Sequence, residues 1–193
     1  SESYTDLKGY NSDADLGLGC GLPTEFAQIK TGDTVVDLGS GAGNDCFVAR
    51  ALTGDSGKVI GIDMTETMIK KATVISNCVL NLVPDKVKAF HEIYRILKSG
   101  GHLSVSDVVI KGSLPDGLKN AVEMYAGCVS GAIQTDDYLS IMEKAGLKNI
   151  RIQKTKAIDI PDDILLKYIS EKEILSFKQS QNGIYSITVY AQK

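Results

Sequence analysis

The run from Thr34 to Asn44, TVVDLGSGAGN, constrains this chain more than any other stretch, and VIGID, ending at Asp63, follows it. An apolar strand, a turn carrying Gly39, Gly41 and Gly43, and a second strand ending in an acid spell out the first βαβ unit of a nucleotide-cofactor fold. The dinucleotide fingerprint G-x-G-x-x-G/A needs a small residue where the helix packs beneath a pyrophosphate, and Asn44 stands there. A pyrophosphate site is therefore poorly supported. The glycines alone also fit a tight strand-to-helix connection. Asp63 narrows the choice, since an acid at that strand end accepts hydrogen bonds from ribose hydroxyls, although it also suits the N-cap of a helix starting near Thr65.

A length of 193 residues suits a single domain with a proper core. The formal net charge of −3 and the lack of a basic stretch argue against nucleic acid or an anionic membrane as the main partner. No apolar run approaches the roughly twenty residues that span a bilayer, and no signal peptide is visible, so a cytoplasmic location is the default expectation. Cys20, Cys46, Cys78 and Cys128 are scattered without a CxxC pair, which favours neither a zinc ribbon nor a disulfide scaffold. Free thiols are expected.

Residues 1–23, polar and Gly-rich, read as a lid or leader. The helix after the glycine turn carries Phe47, Val48, Ala51 and Leu52 at helical spacing and ends before the strand Lys58 to Asp63. The amphipathic stretch Lys86 to Lys98, with Val87, Phe90, Ile93, Tyr94 and Leu97 on one face, stops at Gly100-Gly101 and gives way to a strand over His102 to Val109. A helix from about Asp136 to Ala145 and a strand from Ile150 to Ile158 follow. Ser170 and Glu173 form a capping box, and Gly183 to Ala191 alternates as a last strand. Between Asp63 and a strand at Thr73 to Ser76 lie only residues 64–72, too few for a parallel crossover, which takes a dozen or more. A segment is therefore expected to be missing between Ala72 and Thr73.

Asp37-x-Gly39-x-Gly41-x-Gly43 resembles motif I of the class I S-adenosylmethionine (SAM) methyltransferases, and RILKSGGHLSVSD resembles the helix and fifth strand of the same family. The resemblance covers nearly the whole chain. It implies one α/β domain over residues 1–193, with a doubly wound, mostly parallel seven-stranded sheet and an antiparallel C-terminal strand. It also implies SAM as cofactor, held by Asp37, Gly39, Gly41, Gly43, Asp63 and Asn77.

The open end of such a sheet receives the ligand, and Asn77-Cys78 leaves a strand there. A free cysteine is usually a small buried hydrophobe, and for Cys46, in the first turns of its helix, that reading stands. At Cys78 the position favours a role in the site. His91, on the solvated side of its helix, and His102, away from the switch point, offer no convincing base. LGLGCGLP, SNCVLNL and MYAGCVSGA are similar to the three cysteine-bearing segments of the arsenite methyltransferases. Carried over, that resemblance implies that Cys20, Cys78 and Cys128 ligate As(III); Cys20, in the Gly-flanked turn GCGLP, is expected on a mobile segment that closes after arsenite enters. It further implies arsenite or its thiol conjugates as substrate and a thiol reductant as partner. The rival readings are a small-molecule C- or O-methyltransferase of the quinone-biosynthesis type and a non-catalytic thiol binder of a metalloid or zinc.

Overall fold

The computed structural model describes residues 4–14, 20–62, 73–115, 117–118 and 131–193. Its six-stranded sheet has the order β2-β1-β3-β4-β6-β5, made of β1 (Thr34–Leu38), β2 (Lys58–Ile62), β3 (Thr73–Asn77), β4 (His102–Lys111), β5 (Lys148–Ala157) and β6 (Gly183–Gln192). The first four strands pair in parallel, and β6 runs antiparallel to both β4 and β5. Six strands stand among the described residues where seven are expected. The chain reverses direction at β1, with β2 on one side and β3 on the other, so the carboxyl ends of β1 and β3 form the switch point.

Alternation along β1 explains the layers. Val35 faces a cluster with Ala27, Ala49 and Ile75, whereas Val36 faces the main core with Phe90, Ile93, Leu103, Val105 and Tyr138. Helices α1 (Pro23–Phe26) and α2 (Asn44–Thr53) therefore cover one face, and α3 (Lys86–Ile96) and α4 (Thr135–Lys144) the other. Phe90 and Tyr138 lock α3 to α4 edge to face, with ring centroids 5.4 Å apart. The short α5 (Asp162–Leu165) and α6 (Glu171–Gln179) lie before β6, and the Ser170/Glu173 capping box is formed.

Two faces differ from the sequence expectation. On α2 the buried residues are Asp45, Val48, Ala49 and Thr53, while Phe47 and Leu52 are exposed. The leader residues Tyr4, Leu7, Tyr10 and Leu22 pack around Val48. On α3, Phe90, Ile93 and Leu97 are buried but Val87, in the first turn, faces solvent. No helix among the described residues is long and apolar enough to cross a membrane.

Candidate active site

At the carboxyl ends of β1 and β3 the glycine turn opens α2. Gly39 sits at φ +72°, and a Cβ there would stand 2.0 Å from Val79 Cγ2, so only glycine lets the two loops approach. Gly43, at φ +91°, is the N-cap of α2. Among the described residues nothing lies within 4 Å of where a Gly41 Cβ would be. Asp37, near the end of β1, is buried, and its Oδ2 accepts the Cys46 thiol at 3.3 Å. Burial, and then the charge of Asp37, push that thiol upward, so Cys46 stays protonated. Cys46 is thus a hydrogen-bond donor as well as packing.

Asn77 ties the leader to this turn. Its Oδ1 accepts the backbone N–H of Cys20 at 3.0 Å, and its Nδ2 donates to the Gly21 carbonyl at 2.9 Å and to the Tyr4 hydroxyl at 2.8 Å. The Tyr4 hydroxyl, with one hydrogen to give, lies 3.0 Å from Asp45 Oδ2 and 3.2 Å from the Gly21 carbonyl. Gly21 has to be glycine because a Cβ would fall 2.7 Å from Ser106 Oγ. Asp45 Oδ1 is buried without a hydrogen-bond partner among the described residues. Desolvation raises this carboxyl to about 6, against the hydrogen bonds from Tyr4 and Asn77.

Cys20 and Cys78 are joined as a disulfide, with Cα atoms 5.9 Å apart across a sequence separation of 58. The sequence predicts free thiols, with Cys20 on a mobile segment. The structure corrects the first point, because Asn77 and the Ser186 hydroxyl, which donates to the Cys20 carbonyl, hold Cys20 within bonding range. Cys78 itself is buried, adopts φ +61°, and donates its N–H to the Ser106 carbonyl at 2.7 Å. A non-glycine residue in that region marks a position fixed by its surroundings.

The loop after Cys78 is held by a second buried polar cluster. Asn81 Nδ2 donates to the Val108 carbonyl at 2.7 Å, and Lys86 Nζ to the carbonyls of Asn81 and Val83 at 3.2 and 3.4 Å. Asp107 is fully buried and accepts the Tyr138 hydroxyl at 2.8 Å. Burial raises its carboxyl to about 7, opposed by that hydrogen bond and by the charge of Lys86. Asp63 and Cys128 lie outside the described residues. Tyr4, Asp45, Asn81, Lys86, Asp107 and Tyr138 are site-forming residues that the sequence reading omits. Of these only Asp45, directly behind the glycine turn, carries a local signal.

Comparison with known proteins identifies the family of the fold. A methyltransferase domain family model matches residues 29–73 and 72–146. An arsenite methyltransferase from Halobacterium salinarum is 38% identical over 207 residues, taking up 88% of this chain and 51% of the relative. One from Aquipseudomonas alcaligenes is 31% identical, over 82% of this chain and 56% of its own length. The chain thus spans about half the length of these curated relatives. Among solved structures, an arsenic(III) SAM methyltransferase from Chlamydomonas reinhardtii superposes with a TM-score of 0.75 at 28% identity, covering 98% of this chain and 71% of that one. The chain belongs to the methyltransferase domain family, in its class I SAM-dependent form, and its similarity within that family is to the arsenite methyltransferases.

Proposed function

We propose that this chain transfers a methyl group from SAM to As(III) held by the thiolates of Cys20, Cys78 and Cys128. The observation that carries the reading is the meeting of Cys20 and Cys78, far apart in sequence, at the carboxyl ends of β1 and β3. Likeness to the arsenite methyltransferases supports it.

The residues present fit the cofactor. Glycines at the turn let the backbone approach a ligand closely, and Asp45 Oδ1, without a hydrogen-bond partner among the described residues, offers negative charge with the neighbouring Asp37 to an α-ammonium group. Asp37, Gly39, Gly41, Gly43 and Asn77 would hold SAM, with Asp63 as the expected ribose ligand. When bound, SAM supplies an electrophilic methyl group on a sulfonium.

The chain's own part is to grip and orient the acceptor. Soft thiolates suit a thiophilic As(III) centre, and three-coordinate As(III) keeps a lone pair on its open face. That lone pair is the nucleophile, so no general base is required, in keeping with the absence of a histidine from the described site. Rate acceleration then comes chiefly from holding two bound species in near-attack geometry. Cys20 and Cys78 ligate only as thiolates, so their disulfide has to be opened by a thiol reductant, which suits a reducing compartment such as the cytoplasm.

Titration calorimetry of the reduced chain with SAM and with arsenite, separately, tests the reading. Binding of both, with arsenite binding lost on oxidation to the Cys20–Cys78 disulfide, is the expected result. A reduced chain that binds SAM and ignores arsenite would return the assignment to a small-molecule methyltransferase.

A further inference from the structure

The Asp45 carboxylate faces two ways. Its Oδ2 lies 3.0 Å from the Tyr4 hydroxyl and 3.4 Å from Asn77 Nδ2, whereas its Oδ1, on the same buried side chain, has no hydrogen-bond partner among the described residues. A buried carboxylate oxygen without a donor costs free energy until a ligand supplies one. Asp45 stands in the first turn of α2, directly behind the glycine turn. One oxygen is therefore open to a cofactor, and the other is committed to the leader.

The donors behind Oδ2 form a chain with one direction. Asn77 Oδ1 accepts the Cys20 N–H at 3.0 Å, which turns the amide nitrogen towards the Gly21 carbonyl at 2.9 Å and the Tyr4 hydroxyl oxygen at 2.8 Å. With Asn77 supplying both of these acceptors, the one hydroxyl hydrogen of Tyr4 goes to Asp45, whose charge makes it a better acceptor than the Gly21 carbonyl. Hydrogen bonds aligned in this way polarise one another. The chain thus begins at the Cys20 backbone and ends on the carboxylate beside the glycine turn. Tyr4 and Asn77 also oppose the desolvation that raises this carboxyl, so they favour the ionised form that an ammonium needs. When Cys20 leaves, Asn77 loses the contact that orients its amide, and Tyr4 loses its fixed donor.

We propose that Asn77, Tyr4 and Asp45 form a relay that couples the docking of Cys20 beside Cys78 to the binding of the SAM ammonium on Asp45. Tyr4 is a positioning residue in this scheme, since it acts on the cofactor only through Asp45. The relay rests on the cofactor part of the proposed function and is independent of which residues ligate arsenic. Coupling between two sites is reciprocal, so the factor by which paired cysteines tighten SAM is also the factor by which SAM favours their pairing.

The test titrates SAM by calorimetry, without arsenite, into the full chain in two forms. One carries the Cys20–Cys78 disulfide, identified by mass spectrometry of its peptides, and the other is fully reduced. The disulfide form of wild type is expected to bind SAM at least about fivefold tighter than the reduced form. Tyr4→Phe keeps the ring that packs on Leu22 and Val48 but has no hydroxyl, and it should bring the two affinities to within about twofold. Leu7→Ala thins the same apolar packing and leaves the hydroxyl in place, so it should keep the wild-type factor. A second measurement needs wild type alone and holds if Tyr4→Phe fails to fold. In a glutathione buffer, the Cys20–Cys78 bond forms as one oxidised glutathione takes the two electrons and two protons of the cysteine thiols and leaves as two reduced glutathiones. Saturating SAM should shift that equilibrium towards the disulfide by the factor found in the titrations. A factor that survives in Tyr4→Phe, or that falls equally in Leu7→Ala, overturns the relay. SAM that binds both wild-type forms equally overturns the relay and leaves the cofactor site standing, whereas SAM that binds neither form removes the cofactor site and the relay with it.

Discussion

Asn77 holds Cys20 by its backbone, Oδ1 accepting the Cys20 N–H at 3.0 Å, one residue before the chain reaches Cys78. The same side chain clamps Gly21, so Asn77 gathers the two ends of the Cys20–Cys78 pair. Each such hydrogen bond contributes about 0.5–1.5 kcal/mol net. Asn77→Ala should therefore lower the effective concentration of one thiol at the other roughly tenfold. The measurement is the rate at which the reduced protein re-forms the Cys20–Cys78 bond under a fixed oxidant, followed by alkylation and mass spectrometry. An unchanged rate would mean that the leader is docked by Tyr4, Leu22 and Ser186 alone.

Two buried carboxyls predict an unusual pH dependence of stability. Asp45 and Asp107 are raised from 3.8 to about 6 and about 7, chiefly by desolvation. A carboxyl whose folded pKa lies above its unfolded value keeps its proton longer when folded, so the stability it contributes is complete below pH 4 and is lost as pH rises through the folded value. Asp107→Asn keeps an oxygen to accept the Tyr138 hydroxyl and cannot ionise. Between pH 4 and 8 its stability relative to wild type should improve by on the order of a few kcal/mol, most of it before pH 7. Denaturant melts at several pH values measure this difference, and a constant offset would show that Asp107 stays charged in the folded protein.

The thiols separate by role. Cys78→Ser or Cys128→Ser should abolish arsenite binding while leaving SAM binding close to wild type, because a chelate fails when one of its ligands is lost. Cys46→Ser should leave both ligands bound. A serine hydroxyl can still donate to Asp37, which the wild-type thiol does at 3.3 Å, and the cost is confined to packing. Calorimetry on the reduced variants reads all three. Normal arsenite affinity in Cys78→Ser would remove the metalloid site.

Much of the scaffold is legible from local rules, and much of the site is not. The strand at Thr34–Leu38, the glycine turn and the Ser170/Glu173 cap announce themselves because each needs particular residues at short spacing. Burial on α2 is misread because periodicity ranks Phe47 above Asp45. The fold instead turns Asp45 inward, where Tyr4 and Asn77 donate to it, and the leader takes the Val48 side. Asp107 reads as one polar position in an alternating strand. Its partner Tyr138 comes from a helix 31 positions away, and no local pattern shows that pairing. Long-range polar clusters escape a sequence reading for this reason, since each member is ordinary alone.

The last prediction concerns the connection from β2 to β3. Both strands lie parallel to β1 and on opposite sides of it, yet only residues 63–72 join Ile62 to Thr73, fewer than the dozen or more a parallel crossover takes. The family model matches in two stretches that meet at residues 72 and 73. The alignment with the Halobacterium relative, at 207 residues, is longer than this 193-residue chain, so that relative has residues for which this chain has none. On these grounds we propose that the chain lacks the crossover and strand that would flank β2, whose Lys58 and Gly61 are exposed. Asp63 stands at the start of that connection, and the ribose hydrogen bonds expected of it need a held carboxylate. Such bonds to a charged acceptor contribute about 1.5–3 kcal/mol. Grafting the relative's intervening segment between Ala72 and Thr73 should therefore tighten SAM binding about ten- to hundredfold, and Asp63→Ala in the grafted protein should give that gain back. If the graft folds, by circular dichroism and a cooperative melt, but binds SAM no better, the cofactor site of the short chain is already complete without the crossover.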